Sequence, residues 1–280
     1  MLSYLRRNRI LLFGLILVLI VLLFAGLGRL LWDVGQAAPL SADRPNLEPS
    51  WDHPLGTDRQ ARDLLAVMIV GTPKTLYIGL LAGFIGVAVG TALALIAAYY
   101  GGPVDSVIRG IVDIGLTIPP LLVLVLIAVS IHSALTVNQM AFIVASLSWL
   151  WPTRTIRSQV LSIRERAYLQ VAHLSGARGR QIVFRVILPN LLPYLAATFV
   201  GAVGAAILAS IGLEVIGLGP IEANTLGMTI YWVNYYAALL HGLWWWFLPP
   251  VVIIILLFVG LFSIAAGLDE LANPRTRRTV

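Results

Sequence analysis

The chain has no cysteine among its 280 residues, which rules out disulfides, thiolate metal sites and a cysteine nucleophile. It is poor in charge as well: 11% of its residues are Asp, Glu, Lys or Arg, against about 25% in a soluble domain. With 59% hydrophobic residues it cannot present a wetted surface all round, so lipid must be its solvent over much of its area. There is no GxxxxGK[ST] phosphate loop, which excludes ATP hydrolysis by that route. HExxH and paired metal spacings are missing too. His53, His132, His173 and His241 are scattered, as ordinary loop or interface histidines are, and no metal site is assigned. Without a GxSxG elbow or paired acids in adjacent spans, a membrane-embedded hydrolase or protease is disfavoured, and no catalytic residue is assigned.

Long apolar runs dominate what is present. Breakers cut out six of them, at about 10–31, 76–100, 108–131, 139–156, 191–212 and 247–268, and about 20 residues suffice to cross a bilayer as a helix. Gly101-Gly102-Pro103 ends the second run, Pro119-Pro120 lies inside the third, and the fourth is the least distinct. The fold class expected is therefore all-α, a polytopic membrane protein with about six transmembrane helices. The first run exceeds the roughly 7–15 residues of a cleavable signal, so it is taken as an uncleaved span, although Gln36-Ala37-Ala38 loosely suits a peptidase. Two regions follow: 1–75, the N-terminal span with an external loop, and 76–280, the core transmembrane domain.

The net charge of +6 comes from nineteen basic residues, eighteen of them arginine, and their placement matters more than their sum. Fourteen fall in segments on one side of the alternating spans: Arg6, Arg7, Arg9, Arg109, the seven arginines from Arg154 to Arg185, Arg275, Arg277 and Arg278. The opposite side has an acidic, Pro-rich segment over 32–75 and another over 213–246 without Lys or Arg. By the positive-inside rule both termini are cytoplasmic. The lipid bilayer accounts for this pattern, and no nucleic-acid partner is inferred.

Several residues have both a structural and a functional reading. Asp113 follows Arg109 by four residues on one helix face, which favours a structural ion pair over a proton relay. Glu214, at the outer end of the fifth span, faces either a cavity or headgroup water. Pro119-Pro120 either opens a path through the third span or merely kinks it. Trp244-Trp245-Trp246 fits an interfacial aromatic belt better than a stacking platform for solute. The stretch 164–193, RERAYLQVAHLSGARGRQIVFRVILPNLLP, reads as two short helices turning near Gly176, with Pro189 at the start of the next span. On pattern alone it is equally an Arg-rich helix lying on anionic headgroups.

That stretch resembles the signature loop of bacterial ABC importer permeases, which runs Glu-Ala-Ala, three residues, Gly, nine residues, then Ile-x-Leu-Pro. Here it stands as Gln170-Val171-Ala172, Gly176 and Val186-Ile187-Leu188-Pro189. Gln170 and Val171 depart from the pattern, which puts a salt bridge from the first position in doubt. His53-Pro54-Leu55-Gly56-Thr57-Asp58 with Arg62-Asp63 is similar to the external loop of the dipeptide, oligopeptide and nickel permeases, in particular the dipeptide C-type subunit. Tyr99-Tyr100-Gly101-Gly102 with Asp105, Arg109 and Asp113 is similar to its turn between spans two and three, and Trp149, Arg154, Arg157 and Tyr168 to its approach to the loop. Leu218-Gly219-Pro220, Gly267-Leu268-Asp269 and Asn273-Pro274-Arg275 complete a likeness running in order from about Leu2 to Arg278. Departures cluster near the outer end of span two: Ala61 stands where the family usually has Gly, Ala66-Val67 where it has Ser-Arg, and Thr72-Pro73-Lys74 for an Ala-Arg type segment.

The resemblance implies the type I ABC importer permease fold and a cytoplasmic coupling loop at about 164–187. Gln170, Val171, Ala172, Gly176, Leu188 and Pro189 would couple it to the ATPase. His53, Gly56, Asp58, Arg62 and Asp63 would form a receptor-docking loop. The implied partners are a homologous second permease, two ATP-binding subunits and an extracellular solute-binding protein. The implied place is the bacterial inner membrane. The chain itself would need no cofactor, ATP being bound by the partners, and would move peptides or a similar small solute inward by alternating access. An oligosaccharide or nickel importer of the same family, or a secondary carrier outside it, is the alternative.

Overall fold

The computed structural model of the chain describes residues 8–41, 44–166 and 179–272, with the side chains of all but Arg180, Leu271 and Ala272. Its elements are ten helices and connecting turns, with no strand among the described residues. Helix α1, Arg9–Leu31, is capped by Asn8, whose side chain accepts from the Leu11 amide at 3.0 Å and donates to Glu270 at 2.9 Å. A single 3-10 turn, Val34–Ala37, leads into the loop before α2, Leu64–Tyr100.

At 37 residues α2 is about 55 Å long, well beyond the roughly 30 Å of hydrocarbon. It begins twelve residues before the apolar run that marks it in the sequence. The segment between α1 and α2 therefore ends at Asp63, and the division at 75/76 falls inside a helix. Gly71, Thr72, Pro73 and Lys74 interrupt the hydropathy but not the helix, because their polar groups find partners: Thr72 Oγ1 donates to the Met68 carbonyl at 2.7 Å and Lys74 Nζ to the Ala223 carbonyl at 2.7 Å.

The third apolar run divides into α3, Gly102–Thr117, and α4, Pro120–Ser130, bent 86° from one another across Ile118-Pro119. Two consecutive prolines remove two N–H groups, and the residue before each avoids the helical region, so the helix stops. The fourth run is likewise two helices, α5, Val137–Ser148, and α6, Leu150–Arg164, meeting at Trp149. Pro152 has no N–H to give the Ser148 carbonyl, which instead faces Gly86 of α2.

The fifth run extends further than expected at both ends. A short helix α7, Gly179–Ile182, continues through a π-helical turn, Val183–Ile187, into α8, Leu188–Val215. Pro189 stands in the first turn of α8, as expected, but a π-helical turn precedes it; its missing N–H leaves the Arg185 carbonyl without an i+4 partner, and Leu188 bonds back to Val183 in the π register. Helix α9, Leu226–Tyr235, and α10, Trp244–Ala272, complete the chain. In place of six continuous spans, the described residues hold four helices long and apolar enough to cross a membrane, α1, α2, the Val183–Val215 helix and α10, or five if the bent α3–α4 pair is one span.

Helix α2 is the axis, packed on α8, α6, α5 and α1, while α10 closes against α1 and α8. The close approach depends on small residues: a Cβ at Gly83 would lie 2.9 Å from Val203, and one at Gly86 2.6 Å from the Ser148 carbonyl. The bundle has two ends. The cap end carries 32–63 and 216–243; the base end carries the α2–α3 turn and both flanks of 167–178.

Candidate functional site

At the base end, the α2–α3 turn touches both flanks of 167–178. On the leading flank, Arg164, the last residue of α6, donates Nη1 to the carbonyl of Ala98, one of the carbonyls that the end of α2 leaves without an intrahelical partner. On the returning flank, Gly179 rests on the Tyr99 ring so closely that a Cβ there would come within 2.5 Å of it. Between them lies a cavity of about 220 Å³ lined by Leu95, Tyr99, Val160, Arg164, Glu165 and Ile187.

One turn further along α3, Asp105 receives both Nε and Nη2 of Arg157 in a two-pronged bond, each side chain 19% exposed. Asp113 pairs loosely with Arg154 at 3.9 Å, both well exposed. The ion pair expected between Arg109 and Asp113 is therefore not the one formed among the described residues. Four-residue spacing puts the two on one face of α3, but α6 lies opposite and brings its arginines, three apart, to the two carboxylates. Of the expected coupling residues, Gln170, Val171, Ala172 and Gly176 lie outside the described residues; Leu188 and Pro189 stand where the π turn meets α8.

Above the base, the α3–α4 bend, the α5–α6 junction, α8 and α10 line a half-open cavity of about 550 Å³. Its walls are mostly apolar, with Leu116, Pro120, Leu124 and Trp151 prominent, and Ala197, Gly201, Ala205 and Ala209 of α8 leave the room. Polar groups are few: Ser148, Thr155, Tyr194, Thr198 and one carboxylate, Asp269. An apolar concavity with a few polar groups suits a small organic solute. Of the two readings of Pro119-Pro120, the bend does wall a cavity.

At the cap end, Asp58, Arg62 and Asp63 are sealed from solvent. Arg62 Nε donates to Asp58 at 2.6 Å and its Nη1 to Asn224 Oδ1 at 2.7 Å; Asn224 Nδ2 donates to the Ala37 carbonyl at 2.9 Å. Asp63 caps α2 by accepting from the Ala66 amide at 2.8 Å, and accepts Trp32 Nε1 at 3.2 Å. His53 Nδ1 lies 2.8 Å from its other oxygen and must carry the proton to bond an ionised carboxylate. Gly56 is buried at φ 73°, where a Cβ would strike the Leu47 carbonyl at 2.5 Å. The five residues expected to dock a receptor thus turn inward and knit the cap together. What the loop offers outward is its rim, above all Trp51, fully exposed, beside an open polar hollow of about 510 Å³ that includes Asp33, Asp52 and His53.

Glu214 is in neither a cavity nor headgroup water. It is fully buried, accepts Thr225 Oγ1 at 2.7 Å and faces the Gly227 and Met228 amides at the start of α9, where the helix dipole favours an anion. A Cβ at Gly227 would lie 2.2 Å from its carboxylate. Trp245 and Trp246 are buried against Leu64 and Val233, so Trp244 alone faces outward and no three-ring platform exists. Sequence reasoning missed Asn224, Thr75 and Thr225, which join the two cap segments to α2 and α8.

Comparison with known proteins agrees with this architecture. A family model described as binding-protein-dependent transport system inner membrane component matches residues 90–278, from the middle of α2 to beyond α10. The dipeptide transport system permease protein DppC of Bacillus subtilis (strain 168) is 29% identical over 274 residues, 98% of this chain and 84% of that protein. A putative peptide permease protein of Brucella abortus biovar 1 is 33% identical over 213 residues, 76% of this chain and 70% of that protein. Among solved structures, an inward-facing MetNI methionine ABC transporter superposes with a TM-score of 0.58 at 21% identity, covering 76% of this chain and 98% of that chain, which establishes a shared fold.

Proposed function

Because this chain belongs to the family of binding-protein-dependent transport system inner membrane components, a permease of an ATP-binding-cassette importer, we propose that it carries peptides inward as half of a two-permease channel. The match over 90–278 carries the reading, since it spans the base, the bent pair and the cavity together. Two relatives named as peptide permeases support the cargo. The cavity is wide, mostly apolar and poor in fixed charge, which suits a solute whose side chains vary.

Both termini and the base face the cytoplasm, and the cap faces out. ATP is bound and hydrolysed in two partner subunits, so this chain carries no cofactor. A solute-binding protein docks on the cap rim, and the second permease supplies the rest of the cavity wall. The segment 167–178, with Gln170, Val171, Ala172 and Gly176, docks into the ATPases. Closure of the ATPases moves it, and the cavity changes the side on which it opens.

The test is a pull-down of the tagged chain in mild detergent with mass spectrometry of its companions. A second permease and one or two ATPases are expected, with the ATPases lost on Ala172→Asp or Gly176→Asp. If the chain comes down alone, and wild type and variants behave alike, the segment is a surface helix and the importer reading fails.

A further inference from the structure

We infer that the α2–α3 turn is a clamp that carries movement of 167–178 to the cavity wall, with Asp105 and Arg157 as its positioning residues. The inference rests on the proposed docking of that segment. Three observations place the parts. Arg164, three residues before the segment, is bonded to the Ala98 carbonyl at the end of α2; Gly179, directly after it, lies on Tyr99. The segment therefore leaves and returns against one turn. That turn continues without a linker into α3, since Gly101 at φ 63° lets α3 begin at Gly102. Helix α3 then ends at the 86° bend, where Leu116 and Pro120 line the large cavity.

The Asp105–Arg157 bond makes this a mechanical unit. Arg157 lies on α6, where Leu150, Trp151, Pro152 and Thr155 line the cavity and the last residue, Arg164, lies near the segment. A planar guanidinium held by both carboxylate oxygens fixes orientation as well as distance, which a single-point contact does not. With α3 and α6 so joined, a pull on the segment turns both walls together. Without the bond, α6 pivots on the Trp149 break and α3 stays behind. Arg154 and Asp113, at 3.9 Å and exposed, are too loose to substitute.

The experiment uses the whole transporter in proteoliposomes with its receptor, and reads solute moved per ATP hydrolysed. Asp105→Asn and Arg157→Gln should each lower that ratio at least tenfold while the ATPases still co-purify and still hydrolyse ATP. Arg157→Lys, which keeps the charge but loses the fork, should fall between. Exchange of the pair, Asp105→Arg with Arg157→Asp, should restore at least a third of the wild-type ratio. Equal ratios in wild type and single variants overturn the clamp, as does an exchanged pair no better than the singles. If the single variants fail to assemble, Arg157→Lys decides: a wild-type ratio there overturns the inference. Failure of the ATPases to co-purify with the wild-type chain would instead overturn the importer reading, and the clamp with it.

Discussion

At the cap end, Asp58, Arg62 and Asp63 are shut away from water, Arg62 donating to Asp58 at 2.6 Å and to Asn224 at 2.7 Å, and Asp63 accepting from Ala66 and Trp32. At the base end, the arginines of α6 remain partly or largely in solvent, and all three contacts described for them cross to another helix, to Asp105 and Asp113 of α3 and to Ala98 of α2. Both ends must hold polar chain outside the apolar bundle, yet among the described residues only the cap does so with fully buried charge. A buried pair is costly to break because either partner left alone is an uncompensated charge, so the cap is built to stay closed. At the base only Arg154–Asp113 is an exposed pair that costs little to remake, while Asp105–Arg157 ties α3 to α6, so the base can shift as a joined unit within one transport cycle. The contrast matches the proposed roles: a fixed outer surface for a receptor, and a moving inner one for ATPases.

The strongest way to break this contrast is at Arg62. Arg62→Ala strands Asp58 in the cap, and unfolding in detergent should show a loss of about 3–5 kcal/mol. The double change Asp58→Asn with Arg62→Met should lose clearly less, because no buried charge is left behind. Asp63→Ala should come next, at about 2 kcal/mol, from loss of the α2 cap and of the Trp32 and His53 bonds. If both changes are harmless, the cap is no stiffer than the base. Ala61 offers a test of opposite sign. It is buried in the cap at φ 52°, a region that costs any residue with a Cβ, and it stands where similar permeases usually have Gly. Ala61→Gly should stabilise by about 0.5–1 kcal/mol, the relief of strain exceeding the added freedom of the unfolded chain. At the base, Arg154→Ala should change stability by about 0–1 kcal/mol, because its partner is 3.9 Å away and both are solvated.

The same contrast explains what was legible in the sequence. Helices α1 and α10 show plainly, since an unbroken apolar run needs no tertiary partner to be recognised. The first three turns of α2 do not, because Thr72, Pro73 and Lys74 look like a loop until the Ala223 carbonyl arrives from about 150 residues away to accept Lys74 Nζ, with Asn224 packed on Gly71. Pro119-Pro120 announces a break but not an 86° one, which the packing of α4 against α5 decides. The Arg109–Asp113 spacing was a sound local rule overruled by a facing helix. His53, Asp58, Arg62 and Asp63 carry the family resemblance, and that likeness suggested an outward role. Their chemistry, a histidine and an arginine beside two acids within eleven residues, equally describes a buried network, and only burial separates the two.

Trp51 separates stiffness from docking. Its side chain is fully exposed on the cap rim, between Ser50 and Asp52 and beside the hollow lined by Asp33 and His53. A bare indole on a soluble-facing loop is poorly placed for stability and well placed to be buried by a partner, since aromatic rings dominate the energetics of protein interfaces. Trp51→Ala should therefore leave thermal unfolding of the isolated chain unchanged while reducing stimulation of the ATPases by the solute-binding protein about tenfold or more, with basal hydrolysis unaffected. Because Asp58, Arg62 and Asp63 support the same loop from below, their variants should lose stability and stimulation together. If Trp51→Ala keeps full stimulation, the receptor docks elsewhere on the cap and the buried network serves the bundle alone.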